Sequence, residues 1–161
     1  MRAKFEELPG HSRLWVYQAN RPLSKDEVSS MTEITTNFVD QWQAHGKSLR
    51  ASFEVRFDQF LVLAVDESYH GATGCSIDSS VQLIRTLEQE LNVSFLDRSK
   101  VALWQEDKVS LEPLAELKDL ASQGTLTKST VVFNNAVASM DQYRESWMIP
   151  AGDSWLKRYF R

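Results

Sequence analysis

Six consecutive apolar residues, Phe60-Leu-Val-Leu-Ala-Val65, constrain this chain more than any other stretch. A strand with no alternation must be covered on both faces. The segment before it behaves differently. Ala51, Phe53, Val55 and Phe57 alternate with Ser52, Glu54, Arg56 and Asp58, the period of a strand with one buried face. A tight turn at Asp58-Gln59 would join the two as a hairpin. The first strand is then central in a sheet and the alternating one lies toward its edge.

Further elements follow from local signals. Arg13-Leu-Trp-Val-Tyr-Gln18 reads as a strand, broken by Asn20-Arg-Pro22. Ser24-Lys-Asp-Glu27 fits a capping box, and Val28, Met31, Ile34, Phe38 and Trp42 recur at helical spacing. A helix is expected over about 25–45, with Gly46 as its stop and His45 stabilising its C-terminal dipole. A second helix starts near Ser76 or Asp78 and carries Val81, Ile84, Leu87 and Leu91, with Leu83 beside them. Lys100-Val-Ala-Leu-Trp104 is another strand. The order strand, helix, strand, strand, helix, strand is the ferredoxin-like βαββαβ order, an α+β antiparallel sheet with both helices on one face.

One domain over 1–161 is expected, with a core at about 12–105 and a C-terminal extension at about 106–161. The extension holds a short helix opened by Pro113 and stopped by Gly124, a strand at Thr130-Val-Val-Phe133, and an aromatic arm of Tyr143, Trp147, Trp155, Tyr159 and Phe160. Disordered segments are poor in aromatics, so the arm is expected to fold back over the sheet face that the helices leave open. A second copy of the chain covering that face, a homodimer, is the alternative.

Composition narrows the function classes. The net charge of −4 disfavours a nucleic-acid partner, because phosphate binding needs a basic face. Lys157-Arg158 with Arg161 reads as a solvated basic tail. No apolar run approaches the ~20 residues that span a bilayer, and the first residues lack the apolar centre of a signal peptide. The chain has one cysteine, and a free thiol suits a reducing compartment. A cytoplasmic location without membrane partners is expected.

The richest polar segment is Asp66-Glu-Ser-Tyr-His-Gly-Ala-Thr-Gly-Cys-Ser-Ile-Asp-Ser-Ser80, between the buried strand and the second helix. A helix N-terminus presents unpaired amides and partial positive charge. Gly71 and Gly74 allow close backbone approach. Thr73, Ser76, Ser79 and Ser80 supply hydroxyls. A small anionic metabolite fits this setting, contacted by Thr73, Gly74, Cys75, Ser76, Asp78, Ser79 and Ser80, with Arg13 as a nearby cation. The plain alternative is a connecting loop in which Ser76 or Asp78 caps the helix.

Catalysis is a third reading. Cys75 at a helix N-terminus would have a stabilised thiolate, His70 could act as its base, and Asp66 or Asp78 could orient the imidazole. The ordinary fate of a free cysteine is burial as a small core residue. Asp66, Glu67 and His70 have the donor types of a metal site, but no HxxxH or CxxC spacing occurs, so no metal is expected, and the sequence leaves the identity of any cofactor open. Trp15 and Trp42 read as core, and Trp147 and Trp155 as core or as a stacking wall. Arg21 reads as a surface ion-pair partner.

Arg13-Leu-Trp-Val-Tyr-Gln-Ala-Asn-Arg-Pro22, Trp42-Gln-Ala-His-Gly46, Gly74-Cys-Ser-Ile-Asp-Ser-Ser80, Val132-Phe-Asn-Asn135 and Asp153-Ser-Trp155 together resemble a small uncharacterised bacterial family whose members are often labelled "ABC transporter ATPase". The label implies nucleotide hydrolysis, yet the chain carries no GxxxxGK[ST] and no LSGGQ-like signature. Without the P-loop lysine and its amide cradle nothing holds the β and γ phosphates. Glu116 to Val131 is similar in its helix, glycine, strand pattern to GYF-like adaptor modules, which implies protein contacts in the last third. A non-catalytic interaction module therefore stands beside the anion-binding and thiol-enzyme readings.

Overall fold

The computed structural model describes residues 1–160. β1 (Arg13–Gln18) leads into α1 (Lys25–Gln41), followed by the small hairpin β2 (Gln43–Ala44) and β3 (Lys47–Ser48). β4 (Arg50–Arg56) and β5 (Phe60–Asp66) form the next hairpin, and α2 (Gly74–Leu91) follows. β6 (Lys100–Gln105), β7 (Lys108–Pro113), α3 (Leu117–Ser122), β8 (Val131–Phe133), α4 (Met140–Ser146) and β9 (Met148–Pro150) complete the regular structure, with 3-10 turns at Phe5–Glu7, Leu114–Glu116, Ala151–Asp153 and Trp155–Phe160.

The architecture is α+β with antiparallel sheets. β5 lies between β1 and β4 in a three-stranded sheet, while β7-β6-β8-β9 form a separate four-stranded one. The ferredoxin-like sheet expected from the element order is therefore met in its first three strands only. Its fourth strand, β6, hydrogen-bonds β7 and β8 instead of β1. A local reason is the β6–β7 hairpin, whose loop residues Glu106 and Asp107 both have positive φ (54° and 61°), as a type I′ turn requires. A second is that the start of β1's free edge is taken by Ala138, which accepts from the Leu14 amide at 3.1 Å.

The alternation of β5 divides the core. Leu61, Leu63 and Val65 face α1 and α2, together with Met31, Val39, Ile84 and Leu87. Phe60, Val62 and Ala64 face the second sheet and α4, meeting Ala102, Phe133, Met140, Tyr143 and Trp147. The far side of the second sheet, with Leu103 and Val132, packs on Leu117, Leu126, Ala151 and Leu156. Four layers result: helices, sheet, sheet, then α3 with the C-terminal turns. Trp147 and Tyr143 thus close the open sheet face from within the chain, and the surface that a second copy would have covered is filled. β6 packs with the last third, so the expected boundary near 105 falls inside a hairpin.

Helix ends follow side-chain chemistry. Ser24 and Glu27 form both bonds of the expected capping box, 3.1 Å and 2.9 Å. The paired Arg21 guanidinium, then the Ser24 amide, hold the Glu27 carboxyl down at about 2. Arg21 also donates to the Leu91 carbonyl at the end of α2, joining the two helices. α1 stops at Gln41 rather than 45. His45 (φ 51°) and Gly46 (φ 77°) are instead the loop of the β2–β3 hairpin, so His45 does not serve the helix dipole. Phe57 and Asp58, both at φ 53°, and not Asp58-Gln59, form the centre of the β4–β5 turn, closed by the Gln59 amide on the Arg56 carbonyl.

Candidate functional site

The Asp66–Ser80 segment is built from its own hydrogen bonds. Asp66 is buried and pairs with Arg50 at 2.7 Å, and it accepts from the Ser68 amide at 3.0 Å. Burial pushes its carboxyl up, but the Ser68 bonds and the Arg50 charge outweigh this and leave it below the ordinary aspartate value. Glu67 accepts from the Ala72 amide at 2.7 Å. Two of the acids considered as metal ligands or orienting groups are thus committed to the fold.

The helix start lies earlier than the sequence suggests. Thr73, not Ser76 or Asp78, is the N-cap of α2, and Ser76 is its capping-box partner. Ser76 Oγ accepts from the Thr73 amide at 2.7 Å and donates back to the Thr73 carbonyl at 2.9 Å. Ser79 Oγ donates to the Cys75 carbonyl and Ser80 Oγ to the Ile77 carbonyl. Trp42 Nε1 donates to the Ser76 carbonyl in the core, 2.8 Å. The four hydroxyls singled out as ligand donors are therefore engaged locally, and Ser76 and Ser80 are buried. Only the Gly74 and Cys75 amides of the first turn have no protein acceptor among the described residues.

Asp78 is exposed and outside the cap. Arg13 is exposed at the start of β1, paired in register with Val65, and its guanidinium sits 5.1 Å over the Trp15 ring. Cys75 is exposed rather than buried, because it occupies the solvent side of the first helical turn. No hydrogen bond joins it to His70 among the described residues. Instead His11 reaches this segment. Its Nε2 lies 2.9 Å from Ser68 Oγ and 3.8 Å from Asp66 Oδ1. Both partners meet the same ring nitrogen. In a catalytic triad the acid would hold the nitrogen that the serine does not use, so these three do not form one. Among the described residues no group of three His, Cys, Asp or Glu side chains is placed to hold a metal ion.

A second region has the opposite character. A groove of about 400 Å³ lies between the loop before β8 and the C-terminal turns, lined by Lys128, Gly152, Trp155, Lys157, Arg158 and Phe160. Its volume is in the range of small-ligand pockets. The backbone of Gly152 donates to the Lys128 carbonyl at 2.9 Å. A Cβ on Gly152 would stand 3.0 Å from Lys128 Cβ and 3.3 Å from its carbonyl oxygen, so the close approach needs glycine. Ser154 shapes the turn beyond, donating to the Ala151 carbonyl and accepting from the Leu156 amide. Leu156 then anchors the last turn in the core, fully buried.

That turn presents its polar side outward. Lys157 and Arg158 belong to a structured 3-10 segment, not to a solvated tail. Arg158 lies 5.6 Å over Trp155 and 5.0 Å over Tyr159, contacts that hold a guanidinium in place. Trp155 is 42 % exposed whereas Trp147 is 3 % exposed, so the two tryptophans divide between wall and core. Lys128, Lys157 and Arg158 form no ion pair among the described residues. The sequence signals were Lys157-Arg158 and Trp155. Lys128 was missed because it is remote in sequence, and the β8–β9 pairing, extended by the Ala151 and Gly152 amides on the Thr130 and Lys128 carbonyls, brings it alongside. No family model, no curated protein and no solved structure matches this chain.

Proposed function

We propose that this chain is a cytoplasmic, non-catalytic binding domain for a small anionic ligand, and that the ligand sits in the C-terminal groove. The observation that carries this is that three cations without an ion pair among the described residues, Lys128, Lys157 and Arg158, line one groove of about 400 Å³ with an exposed tryptophan. Lysine and arginine supply charge-assisted hydrogen bonds to phosphate or carboxylate oxygens. Trp155 offers an aromatic surface to whatever carries the anion. The Gly74 and Cys75 amides are the alternative place for the same ligand class, but the hydroxyls that would complete that site already cap and back-bond α2. ABC-type nucleotide hydrolysis is no part of this proposal, for want of a P-loop.

The test is thermal unfolding against nucleotides, sugar phosphates, pyrophosphate and dicarboxylates. A ligand at 100 times its dissociation constant stabilises by about 2.7 kcal/mol. The expected result is a hit that Lys128→Gln and Arg158→Gln each weaken and Thr73→Ala does not. A hit that depends on Gly74 or Ser76 and ignores the groove moves the site to the loop. A silent panel overturns the reading.

A second reading rests on one observation, the exposure of Cys75 in the first turn of α2. An exposed thiol is open to a substrate, as a thiol-dependent enzyme would need, although no hydrogen bond joins it to His70 among the described residues. Alkylation rates measured against pH separate the two. Titration well below ~8.5, the ordinary thiol value, supports the enzyme, and ordinary titration removes it.

A further inference from the structure

A second pocket, of about 380 Å³, lies where the N-terminal turn Phe5–Glu7, edge strand β4 and the α4–β9 junction meet. Glu54 and Arg56 are two residues apart on β4 and so project from one face of the sheet. It is the face opposite Phe53 and Val55, which pack toward the two long helices. Beyond β4 the second sheet does not continue the cover, so these two charges border the pocket in place of apolar residues.

Their geometry is fixed from behind. The Arg56 guanidinium lies 5.0 Å from the Phe57 ring centroid and 5.3 Å from that of Trp147. Its Nη1 donates to the Tyr143 hydroxyl at 3.1 Å, and that hydroxyl donates to Glu54 Oε2 at 2.9 Å. Burial first, then the Glu54 charge, push the Tyr143 hydroxyl far above its ordinary pKa, so it stays protonated and keeps both contacts. Arg56 Nη1 also stands 3.9 Å from Glu54 Oε2, so the two charges pair with each other as well. Arg56 commits one of its five N–H donors to a protein hydrogen bond, and Glu54 Oε1 has no partner among the described residues. Glu54 Oε1 and the remaining Arg56 N–H groups are left for a ligand.

The charges around the pocket alternate. Glu6 and Glu54 supply two negative groups, and Arg56 and Arg144 supply two positive ones. A simple anion meets as much repulsion as attraction here, and so does a simple cation. A molecule with an ammonium and a carboxylate on neighbouring carbons can satisfy both signs at once. Phe5 and Met148, both partly exposed, give the remaining wall an apolar surface.

We propose that the Glu54–Arg56–Arg144 pocket binds a free α-amino acid with an apolar side chain: its ammonium on Glu54, its carboxylate on Arg56 and Arg144, its side chain against Phe5 and Met148. This site is separate from the C-terminal groove and does not depend on that reading.

The experiment is calorimetric titration of the full chain with L-leucine, L-methionine and L-phenylalanine, beside L-glutamate, L-lysine and the N-acetyl and C-amide derivatives of each apolar amino acid. Saturable binding of at least one apolar zwitterion is expected, reduced tenfold or more by either blocking group. Glu54→Gln and Arg56→Gln should each weaken it by a similar factor. Both residues touch Tyr143, so Arg144→Gln serves as the milder variant: its exposed side chain gives up only two long bonds, 3.5 Å each, to the Glu6 and Leu8 carbonyls, and it should also weaken binding severalfold. No binding of any of the three apolar amino acids at millimolar concentration overturns the proposal. So does equal binding of the free and blocked forms, or binding that Arg144→Gln and Glu54→Gln leave unchanged.

Discussion

The loop before α2 and the groove beside the C-terminal turns hold similar chemistry and use it in opposite ways. In the loop, Asp66, Glu67, Thr73, Ser76, Ser79 and Ser80 all bond to their own backbone or to Arg50. In the groove, the side chains of Lys128 and Lys157 bond to nothing among the described residues, and Arg158 spends one donor on Tyr159. A polar group that closes a cap stabilises the fold and has little left for a ligand. A polar group held in place by packing, with its donors unspent, costs the fold little and is free to bind. The density of polar residues in a sequence marks both cases alike. What separates them is where each hydrogen bond goes.

This contrast gives ordered expectations. Asp66→Ala should have the largest effect on stability. Removing one partner of a buried ion pair costs ~3–5 kcal/mol. Because Arg50 retains 27 % exposure, we expect a loss nearer ~2–3 kcal/mol, read by urea unfolding. The pH dependence has a definite sign. The Asp66 carboxyl is depressed in the fold, so its stabilisation is present above the unfolded value of ~3.9 and disappears as pH falls through the folded one. Asp66→Asn should therefore flatten the acid limb of the stability profile below about pH 4. An unchanged acid limb would remove Asp66 from the structural side of the comparison.

Gly152→Ala comes next. The added Cβ meets Lys128 at 3.0 Å on its Cβ and 3.3 Å on its carbonyl oxygen, so a cost of about 1 kcal/mol is expected as the two segments part. Ligand binding in the groove should fall with it. Thr73→Ala removes the N-cap of α2 and should cost about 1 kcal/mol with no change in ligand affinity. If it abolishes binding instead, the loop is a site after all. Lys128→Gln and Arg158→Gln are the smallest in stability, within about 0.5 kcal/mol, yet each should lower anion affinity about tenfold, equivalent to ~1.4 kcal/mol of binding.

Signals confined to a few residues were legible in the sequence. The Ser24/Glu27 capping box forms as written because both of its bonds are three residues long. β5 is buried throughout because six apolar residues in a row leave no solvent face. The C-terminal aromatics cover the open sheet face through Tyr143 and Trp147. Most of the errors come from non-local pairing. Gly46 reads equally as a helix stop or a hairpin loop, and the β2–β3 pairing decided it. Nothing within Lys100–Gln105 says that its partners are β7 and β8 rather than β1. Thr73 escaped notice because a capping box usually places Glu or Gln at its third helical position, where this chain has Ser76. The groove escaped because Lys128 and Trp155 become neighbours through the β8–β9 pairing and the Gly152 contact that extends it.

The most direct test of the contrast is where an anion lands. Amide and indole nitrogen–proton spectra of the uniformly labelled protein, titrated with pyrophosphate, would locate it. The account predicts saturable shifts at Lys128, Gly152, Lys157 and the Trp155 indole, with Gly74, Cys75 and Ser76 unmoved. Shifts concentrated at Gly74 to Ser76 with a silent Trp155 would contradict it and return the site to the loop.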